Sequence, residues 1–414
     1  MNEPARRSCL VSLYGASNVL AAMASVRWYG EQFCAEESAD VVTLMHPPMV
    51  KGPMVRQNAA VVERLVSSQG WSPPIVLSND DVDEITQARG GTLRYSTILR
   101  RFVERVGSES FDEVHYSHDI VGRVPELAMN AFPDALRVVY GEGLGQVSEK
   151  KYSLALAAGA SIEEAHRAAR GRSNLEHRRF RSVVKGVVRK AAFGAPRVFD
   201  ADLAALIIPM DQTGSALADN PLTVVPKRVA LEVIADCKGV LPELAKYSRD
   251  ILTNTPAPHY VMLLENFADA DMMSFEDETA MYEAVVRQYI PRGATILLKT
   301  HPLSIAPIET AVDARLSGEY AVRVIPQDLG RYPMELWSDL ISSCEVISMM
   351  SYCGISLAYL YDKSTICPLD FEVVQRFFPE RAWDRMRDVA LLYHGQLRNL
   401  ETWDGTSILW KALR

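Results

Sequence analysis

Arg137-Val138-Val139-Tyr140-Gly141-Glu142-Gly143-Leu144-Gly145 is an apolar run that breaks into glycines around one carboxylate. Val138 to Tyr140 predict a short buried strand, and the glycines make its exit a turn in which backbone passes close to a ligand. A lone carboxylate at the carboxyl end of such a strand stands where α/β proteins bind ligands, and it suits a general base. The same residues also read as an ordinary strand exit with a solvated glutamate, so the choice depends on the rest of the chain.

Outward from this stretch, strand-like runs alternate with helix-like ones, the pattern of an α/β protein with parallel sheets. Strands are expected at 9–13, 41–45, 75–78, 114–117, 136–140 and 205–209. Helices with apolar residues at helical spacing are expected at 16–32, 55–68, 93–106 and 123–131. Two prolines in Asn254-Thr255-Pro256-Ala257-Pro258 mark a linker, after which the alternation restarts. Strands follow at 260–264, 295–299, 322–325, 346–348 and 365–367, with a helix at 274–289 opened by Ser274 and early acids. From Phe371 the chain reads as mostly helical. The expected domains are 1–255, 256–385 and a helical tail, 386–414. The fold class is α/β, two doubly wound Rossmann-like domains facing across a cleft, a description that fits the GT-B architecture among others.

A chain of 414 residues with 48% hydrophobic and 23% charged residues is a globular protein of more than one core. The formal net charge of −8 argues against a general nucleic-acid binder. None of the six cysteines forms a C-x-x-C pair, which points to reduced thiols and a cytoplasmic setting. The N-terminal Arg6-Arg7 and the apolar residues after it superficially resemble a signal peptide, but Tyr14, Gly15, Ser17 and Asn18 interrupt the run, favouring a first strand, turn and helix. One segment departs from the acidic background. Arg167 to Lys190 is rich in basic residues, and 178–190 reads as a basic amphipathic helix, suited to anionic lipid or a polyanionic acceptor and equally to a solvated face.

Ile296-Leu297-Leu298-Lys299-Thr300-His301-Pro302 places a lysine and a histidine at the end of a buried strand. Pro302 disfavours helix at His301 and holds the imidazole in extended backbone, where both cations suit an anionic leaving group such as a phosphate. His46-Pro47 repeats the dipeptide, so the dipeptide alone is weak. Farther on, Ser348 and Ser351 lie in a hydroxyl-rich turn before an apolar helix, whose first amides make a phosphate site. Ser351 is the favoured donor, and it also reads as a plain helix cap. Glu335, in Pro333-Met334-Glu335, is placed to accept from ribose hydroxyls or simply to favour a helix start. Near the N-terminus, Ser17 and Asn18 are candidates for binding substrate at a strand end or for capping the next helix.

In this order the motifs resemble those of the bacterial GT-B sialyltransferases, the capsule polysialyltransferase family and its lipooligosaccharide sialyltransferase relatives. Gly141-Glu142-Gly143 matches their acidic motif, His301-Pro302 their HP motif and Ser351-Tyr352 their Ser/Thr motif. Gly141 replaces the first acid, leaving Glu142 as sole candidate base, and Tyr352 replaces the second hydroxyl, for which Ser348 is a possible substitute. The resemblance implies inverting transfer from CMP-sialic acid or a related CMP-nonulosonate to a hydroxyl of a glycan or glycolipid acceptor. Glu142 would then be the base and His301 the stabiliser of the leaving phosphate. Lys299, Pro302, Glu335, Ser348, Ser351, Gly143, Ser17 and Asn18 would bind substrate.

No cofactor or metal is required by this scheme. The triplets Asp200-Ala201-Asp202 and Asp269-Ala270-Asp271 read as solvated loop acids, because a metal needs more converging ligands. A cytoplasmic enzyme is expected, with peripheral contact at the inner membrane face through 178–190. The alternatives are a GT-B transferase using CMP-Kdo or a UDP-sugar, a non-catalytic capsule-assembly scaffold, and a dinucleotide enzyme. The last is weakened by Gln146 at the third fingerprint position.

Overall fold

The computed structural model describes residues 8–16, 18–33, 39–46, 50, 52–86, 95–117, 127–128, 130–141, 201–209 and 221–402. Glu142, Gly143, Ser17, the basic segment 167–190 and residues 123–126 and 129 of the helix expected at 123–131 lie outside them. The chain divides into two compact units, Met1–Asp236 with Gly405–Arg414, and Cys237–Asp404.

The described strands of the first unit are β1 (Cys9–Tyr14), β2 (Val41–Met45), β3 (Ile75–Leu77), β4 (Glu113–Ser117), β5 (Leu136–Gly141), β6 (Leu203–Leu206) and β7 (Leu222–Val224). They form one sheet in the order β3-β2-β1-β4-β5-β6-β7, parallel throughout. The described helices are α1 (Val19–Phe33), α2 (Pro53–Ser67), α3 (Asn79–Thr86), α4 (Tyr95–Val106) and α5 (Lys227–Gly239). Cys9, Leu10, Val11 and Leu13 are at most 3% exposed, because a central parallel strand is covered on both faces. Arg137 to Gly141, the described part of the opening stretch, lie in the strand expected there. β6 begins earlier than expected, since the ladder starts at Asp202, whose amide bonds to the Arg137 carbonyl. β7 escaped notice because Pro221 and Pro226 leave only a short run between them.

In the second unit β8 (His259–Leu263), β9 (Thr295–Lys299), β10 (Ala321–Val324), β11 (Glu345–Ser348) and β12 (Thr365–Ile366) form a parallel sheet in the order β10-β9-β8-β11-β12. Its helices are α6 (Pro242–Asn254), α7 (Phe275–Tyr289), α8 (Ile308–Leu316), α9 (Gln327–Gly330), α10 (Ser338–Ile341), α11 (Tyr352–Tyr361), α12 (Phe371–Phe377) and α13 (Glu380–Thr402). A short 3-10 turn covers Met334–Leu336. Ser274 caps α7, its hydroxyl accepting the Asp277 amide hydrogen at 3.0 Å, and three acids in the first turn complement the helix dipole. Ile296, Leu297 and Leu298 are fully buried, each side chain worth about 1.5–3 kcal/mol on burial.

The prolines 256 and 258 introduce β8 within the second unit. The division between units falls in α5 instead, and α6 joins the second unit, where the Tyr247 ring packs edge-on against Trp337. Helix α13 is part of the same unit, since its Ala382, Met386 and Ala390 belong to the core that β8, β9 and α7 build.

The strand order puts a topological switch point in each sheet, between β1 and β4 in the first and between β8 and β11 in the second. Crossovers leave in opposite directions there, and the carboxyl ends of the two strands open a crevice.

Candidate active site

Every strand of the second sheet ends at the same edge, so the exits of β8, β9 and β11 share it. At the end of β9, Lys299 is 6% exposed and its Nζ donates to the Gly330 carbonyl at 2.6 Å. Burial lowers its pKa, while nearby Cys353 and Glu335 act in the opposite sense. Two residues on, His301 Nδ1 accepts the Leu303 amide hydrogen at 3.2 Å. That bond assigns the remaining ring proton to Nε2. Burial, and then the Lys299 charge, push the imidazole down to about 4, against a smaller opposing effect of Asp269. At neutral pH His301 is therefore an uncharged donor held by its own loop.

Asp269, in the triplet Asp269-Ala270-Asp271, accepts the amide hydrogens of Ile305 at 2.7 Å and Ala306 at 3.2 Å. It ties the segment after β8 to the segment after His301. Asp271 follows with positive φ and pairs with Arg381.

At the end of β11 the two serines have different parts. Ser348 is fully buried, and its Oγ accepts the Ser351 amide hydrogen at 3.1 Å. The Tyr393 hydroxyl lies 3.1 Å from that oxygen and donates to the Ser351 carbonyl at 2.9 Å. Ser348 thus builds the turn from inside. Ser351 stands at the N-cap of α11, yet its side chain makes no capping bond, so the hydroxyl remains uncommitted to the helix. Close packing shapes this corner. A Cβ on Gly354 would come within 2.9 Å of Ser348 Cβ and collide with the Tyr393 hydroxyl.

Glu335 sits in the 3-10 turn and accepts from the Ser356 hydroxyl of α11, while its carbonyl accepts from the Tyr361 hydroxyl at 2.5 Å. Both contacts brace the glutamate against the helix that Ser351 opens.

Sequence reasoning missed the exit of β8. Glu265, 6% exposed, accepts the Met350 amide hydrogen at 3.3 Å, across the switch point. Burial raises its carboxyl to about 7. The Met350 amide bond opposes that rise, Glu278 adds to it, and the Ser351 amide bond opposes it again. Glu278, in the first turn of α7, accepts from the amides of Phe267 at 3.2 Å and Ala268 at 2.7 Å and fixes the loop that carries Glu265. The Tyr282 hydroxyl accepts the Glu265 amide hydrogen at 2.6 Å. The available signal was the one that singled out Glu142, an acid directly after an apolar run.

Lys299, His301, Glu335, Ser348 and Ser351 are thus gathered at one edge of the second sheet, joined by Glu265. In the first unit, Asn18 is 2% exposed and its amide donates to the Ser117 hydroxyl at 3.1 Å and the Tyr14 carbonyl at 3.4 Å. It links the ends of β1 and β4. Among the described residues no helix is long and apolar enough to cross a membrane.

Two Rossmann-like units in one chain are a makeup that the GT-B class shares with other proteins. No protein-family model and no curated protein sequence matches the chain. Among solved structures it is similar to the UDP-GlcNAc 2-epimerase from Neisseria meningitidis bound to UDP-GlcNAc, at 10% identity and a TM-score of 0.45 over 98% of each chain. The S. aureus MnaA–UDP co-structure matches at 11% identity and a TM-score of 0.47, covering 98% of this chain and 94% of that one. A UDP-glucosyltransferase from Polygonum tinctorium matches at 10% identity and a TM-score of 0.45, covering 99% and 98%.

Proposed function

We propose that the chain is an inverting, metal-independent glycosyltransferase that takes sialic acid or a related nonulosonic acid from a CMP-activated donor. The observation that carries this is the gathering of a neutral His301, a buried Lys299, the Ser351-headed helix α11 and Glu335 at one sheet edge. Such an edge suits a nucleotide monophosphate leaving group. The first amides of α11 and the Ser351 hydroxyl take the phosphate, His301 Nε2 donates to the oxygen on which charge develops, and Glu335 accepts from the ribose. Lys299 holds the Gly330 backbone that shapes the edge. Glu142 takes the proton of the acceptor hydroxyl as it attacks the anomeric carbon.

The acceptor is a glycan or glycolipid, met at the cytoplasmic membrane face through 178–190. Thermal-shift and donor-hydrolysis screening against CMP, UDP, GDP, CMP-sialic acid and CMP-Kdo tests the donor. A shift with CMP and hydrolysis of CMP-sialic acid are expected. A response to UDP alone would replace this donor with a UDP-sugar, and a response to CMP-Kdo alone would replace the nonulosonate. Turnover that stops in EDTA while the fold, followed by circular dichroism, stays intact would overturn the metal-independent scheme.

A further inference from the structure

At the opposite end of the first sheet, the register of β1 and β4 sets Cys9 beside Glu113, and alternation along β4 brings His115 to the same face. One donor atom from each of the three lies within 4.8 Å of the others. Cys9 is 3% exposed, Glu113 4% and His115 fully buried. His115 Nε2 is 3.3 Å from Glu113 Oε2. On the other side of the ring, Nδ1 is 3.4 Å from the Ser25 hydroxyl of α1, and Tyr29 packs against it edge-on at 5.8 Å.

Sulfur, nitrogen and carboxylate oxygen from three buried side chains converge here, and atoms this electron-rich pack together when protons or a cation sit between them. Protons on the thiol and imidazole are one solution. A cation is another, and the donor set favours a borderline-soft divalent ion with no need of many oxygens. In a tetrahedral zinc site with bonds of roughly 2.0–2.3 Å, neighbouring donors stand roughly 3.3–3.8 Å apart. The histidine–glutamate spacing already meets that range. Ser25 supplies the partner to the second ring nitrogen that metal-bound histidines characteristically have.

We propose that Cys9, Glu113 and His115 bind a structural zinc-class divalent cation that pins β1 to β4 at the amino end of the first sheet. The site is separate from the sheet edge assigned to the donor and does not depend on that assignment. Its ligands come from the central strand pair, so the ion would act on stability rather than on chemistry.

The test is metal analysis of the full chain purified after growth in zinc-supplemented medium and dialysed against zinc-free buffer. About one zinc per chain is expected, with a melting temperature that falls when a strong chelator is added. Cys9→Ala and His115→Ala should each lose the metal and the chelator response. Cobalt-loaded wild type should show a thiolate-to-cobalt charge-transfer band, a readout that survives if the variants do not fold. A metal-free wild type whose melting is indifferent to chelator overturns the proposal. So does zinc retained in Cys9→Ala, or a cobalt spectrum without a thiolate band.

Discussion

The Glu265 carboxylate accepts the Met350 amide hydrogen at 3.3 Å, joining the exit of β8 to the exit of β11 at the switch point of the second sheet. A carboxylate in this position is buried, with Glu278 adding to the cost of its charge, and the Tyr282 hydroxyl accepts the Glu265 amide hydrogen while its own hydrogen bond goes to the Glu278 side chain. Cys367 and Tyr393 also sense that charge.

The sign of the consequence follows from the direction of the shift. The carboxyl is raised from 4.5 to about 7, so its contribution to stability is full below 4.5 and is lost as pH rises through about 7. Glu265→Gln keeps the shape and cannot ionise. Relative to wild type it should gain stability on going from acid to alkaline pH, by an amount on the order of 3 kcal/mol. Urea unfolding of both proteins at about pH 4 and about pH 8, below and above that window, measures this, and an equal difference at both pH values would show that Glu265 ionises as it does in water.

His301 has the opposite sign. Its folded pKa lies near 4, below the ordinary 6.5, so the native protein resists a proton that the unfolded chain accepts. Its contribution is complete above 6.5 and is lost as pH falls toward 4. In the proposed reaction His301 donates from neutral imidazole, and its titration should leave no inflection in the rate profile between about pH 5 and pH 8. Removing one such donor costs typically about 10²–10³ in kcat. His301→Ala should show that loss together with weaker CMP binding, measured by calorimetry and initial rates. Undiminished turnover would remove His301 from the chemistry.

Apart from β7, the strands of both sheets were legible because each is a mostly apolar run closed by a polar, glycine- or proline-containing exit. Lys299 and His301 were legible for the same reason, with Pro302 as a local marker. Glu265 was not, because its partners Met350 and Tyr282 lie 85 and 17 residues away. Burial of a carboxyl is decided by tertiary packing, and Leu264-Glu265-Asn266 alone looks like the start of a solvated loop. Ser348 and Ser351 show the same limit within one turn. Their spacing marked a phosphate-type turn, but only the fold shows that Tyr393, from a helix far along the chain, holds Ser348 inward. Cys9 lies far from the alternating pair Glu113 and His115 in the sequence, and only strand register brings the three together.

Glu142→Gln separates binding from transfer. In the proposed reaction the base is needed only when the acceptor hydroxyl attacks, while CMP is held by groups of the second unit. The variant should bind CMP with an affinity within a few-fold of wild type and lose transfer by about 10²–10⁴, the usual worth of a positioned base. Transfer assays and CMP calorimetry on the same preparation check both halves. Wild-type transfer would remove Glu142 from the role of base.

Gly354→Ala probes the corner that shapes the turn before α11. In an ordinary helix the change would stabilise, since alanine is the better helix former by about 0.8–1.0 kcal/mol. Here the new methyl meets Ser348 Cβ at 2.9 Å and the Tyr393 hydroxyl, so overpacking dominates. A net loss of about 1–3 kcal/mol is expected. Tyr393→Phe removes the hydroxyl that stands in the way and also the bond to the Ser351 carbonyl, so alone it should cost about 0.5–1.5 kcal/mol. Because both changes act on the same contact, the double variant should be more stable than the sum of the single losses, which a urea double-mutant cycle measures. Strict additivity would mean that Gly354 and Tyr393 do not meet, and that the Ser348–Ser351 turn is not held by this packing.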